Sequence, residues 1–138
     1  MRTVTMPMQS ARPIEIEPLS NRFLIHPLAA ALLPRAISAG LHPNTITIAG
    51  LVFGLLAGAA YTRWTDWHFA ALGFALMIAW HVMDGLDGKL ARATGKTSAI
   101  GRFLDGVADY ATFVAVNLAL ALTHPDTGLA LALAVASG

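Results

Sequence analysis

Three apolar stretches, each punctuated by turn signals, constrain this chain more than any other feature. The first runs from about Thr45 to Tyr61, the second starts near Phe69 and continues through Trp80, and the third covers roughly Phe103 to Leu122. Crossing the hydrocarbon core of a bilayer takes about 20 apolar helical residues, and backbone polar groups in lipid must be satisfied within the helix itself. The composition points the same way: 56% of the 138 residues are hydrophobic and 12% are charged, with a mean hydropathy of +0.61. Soluble domains carry roughly 25% charge, and a chain this short could not hide so much apolar surface from water. The expected fold class is therefore all-α, a polytopic membrane helix bundle. The net charge of +1 and the lack of a basic tract give no reason to expect nucleic acid as a partner, and zero cysteines exclude disulfides, thiolate metal sites and cysteine nucleophiles.

Residues 1–18 read as a mobile tail. They carry Glu15 and Glu17 and lack the apolar core of a signal peptide, so the first apolar helix is expected to direct its own insertion. Residues 19–41 form a second unit, apolar but interrupted by Pro27 and Pro34, with too few residues between the prolines to span. A juxtamembrane helix lying at the membrane surface fits this pattern, with Arg22 and Arg35 at the headgroups. Gly40 ends it, and His42-Pro43-Asn44-Thr45 opens the next helix. Residues 42–138 form the transmembrane core. Gly50, Gly54 and Gly58 give its first span a ridge that lets another backbone approach closely, and Trp64 and Trp67 suit the interface in the following connector. After the turn at Thr123-His124-Pro125-Asp126, the ten residues from Leu129 to Gly138 read as a partial fourth span, so the core is expected to be incomplete at the C-terminus.

Basic residues set the expected orientation. Arg2, Arg12, Arg22 and Arg35 precede the first span, and Lys89, Arg92, Lys96 and Arg102 follow the second, whereas the intervening connector has Arg63 offset by Asp66. The positive-inside rule then places the N-terminus and the region after span two in the cytoplasm, on one side of a membrane expected to be a bacterial inner membrane.

Four of the eight acidic residues, Asp84, Asp87, Asp105 and Asp109, fall within one 26-residue stretch. Carboxylates at the ends of apolar helices are costly and mark functional sites. At about 100° per residue, Asp84, Asp87, Gly88 and Ala91 share one helical face while Leu86 and Leu90 point the other way. In the next helix Gly101, Asp105 and Asp109 recur every four residues and share a face too. A hairpin of these helices would gather four carboxylates, which cannot all stay ionised without a counter-charge. An all-oxygen set suits Mg²⁺ or Mn²⁺, expected as a pair of ions. Merely solvated charges paired with Lys89, Arg92, Lys96 and Arg102 would have no reason to share helical faces. The bare glycines leave room for a bulky substrate, and Arg92 on the rim of the same face suits a phosphate. Metal ions on phosphate oxygens, with a carboxylate to take a proton from an incoming hydroxyl, suffice for phosphoryl or phosphatidyl transfer.

The stretch Asp84-x2-Asp87-Gly88-x2-Ala91-Arg92-x8-Gly101-x3-Asp105-x3-Asp109 resembles the signature of the CDP-alcohol phosphotransferase family, with every fixed position filled. At ordinary residue frequencies, so many chance matches in one register fall below about 10⁻⁹. Pro43-Asn44, Thr47 and Gly50 resemble the opening of that family's first transmembrane helix, and the likeness covers about residues 20–123. The resemblance implies an enzyme of phospholipid biosynthesis that moves a substituted phosphate from a CDP-linked lipid or alcohol donor to an alcohol acceptor, releasing CMP. It further implies that Asp84, Asp87 and Asp105 hold the metals, and that Asp109 is both ligand and general base. Gly88, Ala91, Arg92 and Gly101, with Asn44 and Thr47, would bind substrate. Membrane lipids and a second copy of the chain, in a homodimer, are the other expected partners. The family has six spans where this chain offers three and part of a fourth. The rival readings are an inactive or truncated membrane subunit, a cation-binding transporter segment, and an aspartate-rich membrane prenyltransferase. The last leaves Gly88, Ala91, Arg92 and Gly101 without a role.

Overall fold

The computed structural model describes residues 21–123, and all of its regular elements are helices. The expected tail and partial fourth span lie outside the described residues. A π-helical turn, Asn21–Ile25, runs into helix α1, His26–Ser38; α2 covers Pro43–Tyr61, α3 Trp67–Thr94 and α4 Ala99–Thr123. The last three are long and apolar enough to cross a membrane. The chain is an integral membrane protein.

Helix boundaries follow local chemistry. α1 is continuous through Pro34, so the prolines do not confine it to the segment between them. Pro27 sits in the first turn, where a missing N–H costs little. Gly40 ends α1 with φ of +65°, while the Leu41 N–H donates to the Ala36 carbonyl at 3.0 Å. α2 begins with Pro43 in its first turn, and the His42 ring nitrogen accepts from the Asn44 N–H at 3.3 Å. Asp66 caps α3 by accepting from the His68 N–H at 2.9 Å, and that bond, with the imidazole beside it, holds its carboxyl below the usual range. α3 ends at Gly95, φ +66°.

The 28 residues of α3 extend over about 42 Å at 1.5 Å each, well beyond the ~30 Å hydrocarbon core. Its last turns, which carry Asp84 to Arg92, therefore continue the span out to a polar boundary. One side of that overhang is covered by α1. Ile25, Ala29 and Ala36 close with Ile46, Val82, Leu86 and Leu90 into the main apolar cluster, flanked by Leu32, Leu33, Ile78 and Met83. Leu86 and Leu90 thus point away from the carboxylates, as the helical periodicity requires.

α2 is the central helix and packs along both α3 and α4. Its glycine ridge faces both neighbours. Gly50 meets Met83 and Trp80 of α3, while a Cβ on Gly54 would overlap the Thr112 side chain of α4 and one on Gly58 would lie 3.0 Å from Ala115. The ridge therefore serves packing. α3 and α4 do not form a closely packed hairpin of their own; among the described residues the strong helix pairs are α2 with α3, α2 with α4 and α1 with α3. Small residues let α2 approach both neighbours, and the acid-bearing faces of α3 and α4 gain nothing from touching. At the far end, the Trp64 indole N–H donates to the Thr123 hydroxyl at 3.2 Å and ties the α2–α3 connector to the end of α4.

Candidate metal and phosphate site

Asp84 leaves α3 and Asp105 and Asp109 leave α4, and each offers a carboxylate oxygen within 4.8 Å of the other two. The side chains bridge a gap that the helix backbones leave open. No lysine or arginine among the described residues is ion-paired to any of them; the ion pair between His68 and Asp66, at 3.0 Å, lies far off at the α2–α3 connector. Three hard oxygen donors converging from two helices, with no lysine or arginine of the described residues paired to them, fit a divalent ion of the Mg²⁺ or Mn²⁺ type.

The fourth aspartate is placed differently. Asp87 is buried and accepts a hydrogen bond from the Thr47 hydroxyl of α2, with the Pro43 carbonyl 3.3 Å from the same hydroxyl. It stands beside the three-acid cluster rather than within it. Thr47, buried as well, fixes the Asp87 carboxylate from across the helix interface, the type of support that orients acidic ligands.

Asp87 opens onto a cleft of about 210 Å³. Pro43, Asn44 and Thr47 line it from α2; Asp87, Gly88, Ala91 and Arg92 from α3; Gly101, Arg102 and Asp105 from α4; and Lys96, Thr97 and Ser98 from the connector between them. All six residues expected to bind substrate, Gly88, Ala91, Arg92, Gly101, Asn44 and Thr47, therefore border one space. Asp105 belongs both to this cleft and to the three-acid cluster, and so joins them. The glycines keep the walls thin. A Cβ on Gly101 would come within 3.1 Å of the Ser98 hydroxyl and 3.3 Å of the Asn44 side-chain oxygen, and one on Gly88 would lie 3.4 Å from the Arg92 guanidinium. Arg92 is thus folded over Gly88. The first turns of α2 and α4 also face the cleft, and helix N-termini favour anions.

Lys96, Thr97, Ser98 and Arg102 lie in or beside the unspecified eight-residue gap of the sequence pattern. The signal that could have marked them is the turn at Gly95 followed by the cap at Ser98, whose hydroxyl accepts from the Gly101 N–H at 2.9 Å. A connector that short must fold them over the cleft. Other polar residues take structural places. The His81 ring nitrogen contacts the Met77 carbonyl at 2.9 Å, and the ring stands edge-on to Trp80. Asn117 donates to the Phe113 carbonyl of its own helix at 2.8 Å, a one-turn partner already within reach. The Lys89 ammonium lies 3.2 Å from the His26 ring nitrogen of α1.

Residues 40–137 match the CDP-alcohol phosphatidyltransferase family. The chain belongs to that family. It is 35% identical over 85 residues to an archaetidylinositol phosphate synthase of Pyrococcus horikoshii, covering 62% of this chain and 43% of the relative. It is 33% identical over 79 residues to a CDP-diacylglycerol–serine O-phosphatidyltransferase of Mycobacterium leprae, covering 57% and 25%. With the Escherichia coli inner membrane protein YnjF it shares 32% identity over 106 residues, covering 74% and 49%. The matched regions thus span less than half the length of each of these relatives. No solved structure matches the chain.

Proposed function

We propose that the chain carries the metal- and nucleotide-binding core of a transferase that moves a substituted phosphate from a CDP-linked donor to an alcohol acceptor, with release of CMP. The observation that carries this reading is the junction at Asp105, where a carboxylate cluster unpaired with any lysine or arginine of the described residues meets a cleft lined by Arg92 and two helix N-termini. A metal-loving half and a phosphate-loving half share one wall. The names of the relatives are consistent with head-group transfer, and the acceptors they name differ.

In this reading Asp84, Asp87, Asp105 and Asp109 would hold two Mg²⁺ or Mn²⁺ ions, which would supply positive charge to offset that of the phosphates and the leaving group. Thr47 holds the Asp87 carboxylate toward the cleft. Arg92 takes a phosphate oxygen, and Asn44, Gly88, Ala91 and Gly101 accept the flat nucleotide against walls free of side chains. The acceptor hydroxyl attacks the phosphorus that bears the donor's alcohol. A new P–O bond forms, the bond to the CMP oxygen breaks, and the hydroxyl proton passes to the Asp109 carboxylate as general base. Residues 42–138 form this core, residues 19–41 a surface helix that backs the last turns of α3, and residues 1–18 a tail. In this reading the cleft faces the cytoplasmic side of a bacterial inner membrane, a sidedness that the basic residues around it favour. The exposed apolar face of α4, with Phe103, Tyr110 and Leu118, is left for membrane lipid, and a second copy in a homodimer would have that same face to pack on.

Metal-dependent release of CMP from CDP-diacylglycerol by the purified chain tests the reading. Release that stops with chelator, returns with Mn²⁺ and is lost in Asp105→Asn supports it. Release of pyrophosphate from a prenyl diphosphate instead would assign the aspartates to prenyl transfer. Mn²⁺ binding without CMP binding would leave a cation-binding subunit.

A further inference from the structure

We propose that His81 selects the acceptor, its Nε2 taking a hydrogen bond from an O–H or N–H that the alcohol carries beside its reacting hydroxyl. The acceptor class is then a vicinal diol or an amino alcohol rather than a simple alcohol. The inference deepens the transferase reading above and rests on it.

On α3, Trp80 and Met83 face Gly50 of α2, while Val82, Gly85 and Leu86 are turned to α1. His81 lies between these two sides, three residues before Asp84 and about 60° round from it, on the flank that faces the open gap. Its depth can be measured along α2. Gly54, four residues beyond Gly50, meets Thr112 of α4, and Gly58 meets Ala115, so α2 and α4 run the same way. Asp109 stands three residues before Thr112, about 4.5 Å back along α4. That brings it level with the Trp80–Met83 segment, and so with His81. The imidazole is close enough to the Asp109 carboxylate to act on it electrostatically. The nucleotide cleft reaches the acid cluster at Asp105, and Asp109 and His81 lie beyond it, further into the span.

The contact that anchors the ring also decides what its other nitrogen can do. His81 Nδ1 is 2.9 Å from the Met77 carbonyl. A carbonyl only accepts, so the neutral ring carries its proton on Nδ1 and presents Nε2 as a bare acceptor. The edge-on contact with Trp80, ring centroids 4.4 Å apart, holds the ring plane, and Trp80 is itself set against Gly50. His81 is half-buried, and its Nε2 has no hydrogen-bond partner among the described residues. The neighbouring carboxylates, Asp84 and Asp109, are acceptors when ionised and cannot supply one. The missing donor therefore comes from the molecule that enters the gap. In the transferase reading that molecule is the acceptor alcohol, whose reacting hydroxyl gives its proton to Asp109. A second O–H or N–H on the adjacent carbon then meets Nε2.

The full chain in phosphatidylcholine nanodiscs, with Mn²⁺ and CDP-diacylglycerol, is supplied in turn with ethylene glycol, ethanolamine and ethanol, and acceptor-dependent CMP release is followed. The expected kcat/KM is roughly tenfold higher for ethylene glycol and ethanolamine than for ethanol. In His81→Phe the ratio falls to within about twofold, and His81→Gln, whose side-chain oxygen can accept in place of Nε2, recovers part of it. CMP binding, measured alongside, reports whether each variant folds. No preference in the unaltered chain, or a preference that survives His81→Phe, overturns the proposal. So does a loss that strikes ethanol equally, because His81 then serves packing or supports Asp109. Nitrogen NMR of the unaltered chain keeps the proposal open to refutation even where the variants do not fold. The His81 Nε2 resonance moves with ethylene glycol and stays with ethanol, and a resonance that moves with neither overturns the proposal. Absence of both CMP binding and CMP release in the unaltered chain removes the transferase reading and this inference with it, whereas release without preference for the diol removes the inference alone.

Discussion

The two sides of α3 over its last three turns are built from the same helix and end in opposite states. Val82, Leu86 and Leu90 are closed over by α1, and Leu90 has no exposed surface. Asp84, Gly88 and Ala91, on the other side, are left partly open toward a gap that α4 borders without filling. The apolar side is defined by what touches it. The acidic side is defined by what stays away: glycines, a short connector and a neighbouring helix held at a distance by α2. A binding site in a small helix bundle needs both, because the open face keeps its shape only while the opposite face is packed.

That division of labour can be broken from either side. Asp109→Asn removes a charge and a proton acceptor and leaves volume unchanged, so CMP release is expected to fall about 10²–10⁴-fold while thermal stability in detergent hardly moves. Leu90→Ala should do the reverse, costing about 2–4 kcal/mol of stability through the cavity it leaves, with turnover per folded molecule within a factor of a few. Equal loss of activity in both variants would show that the two sides of α3 are not separable. Gly54→Ala tests the helix that holds the gap open. Its Cβ collides with Thr112, so α2 must shift from α4 at a cost of about 1–3 kcal/mol, and adding Thr112→Ala should recover much of it. A weaker effect is expected of Thr47→Val, which strips Asp87 of its hydrogen bond. Mn²⁺ affinity measured by electron paramagnetic resonance should fall about fivefold, in line with about 1 kcal/mol for such a bond. Thr112→Val should be the mildest, since the buried Thr112 hydroxyl has no hydrogen-bond partner and an isosteric apolar group is close to neutral there.

Much of this was legible in the sequence because it depends on periodicity. The spacing of Asp84, Asp87, Gly88 and Ala91 fixes a shared face on any α-helix, and the opposing placement of Leu86 and Leu90 follows from the same 100° step. The helix end at Gly40 was equally local, and the left-handed turn at Gly95 was a local signal left unread. The pairing of α2 with both neighbours was not, because a ridge of glycines says that something approaches closely without saying what. Nor did the spacing separate Asp87 from the other three acids. Only the approach of Thr47, forty residues earlier and on another helix, draws it to the cleft.

By itself the sequence determined which residues are apolar enough to lie in a membrane, where helices start and stop, and which carboxylates share a face, since these depend on neighbours within a turn or two. It also carried the family, through eight fixed positions within 26 residues. The tertiary structure alone decided that Asp105 joins the three-acid cluster to the cleft, that Arg92 folds over Gly88, and that Lys96 and Arg102 line the same cleft. Those relations depend on the angles at which α2, α3 and α4 pack. Such angles are set by contacts between residues distant in the chain, which no local pattern encodes.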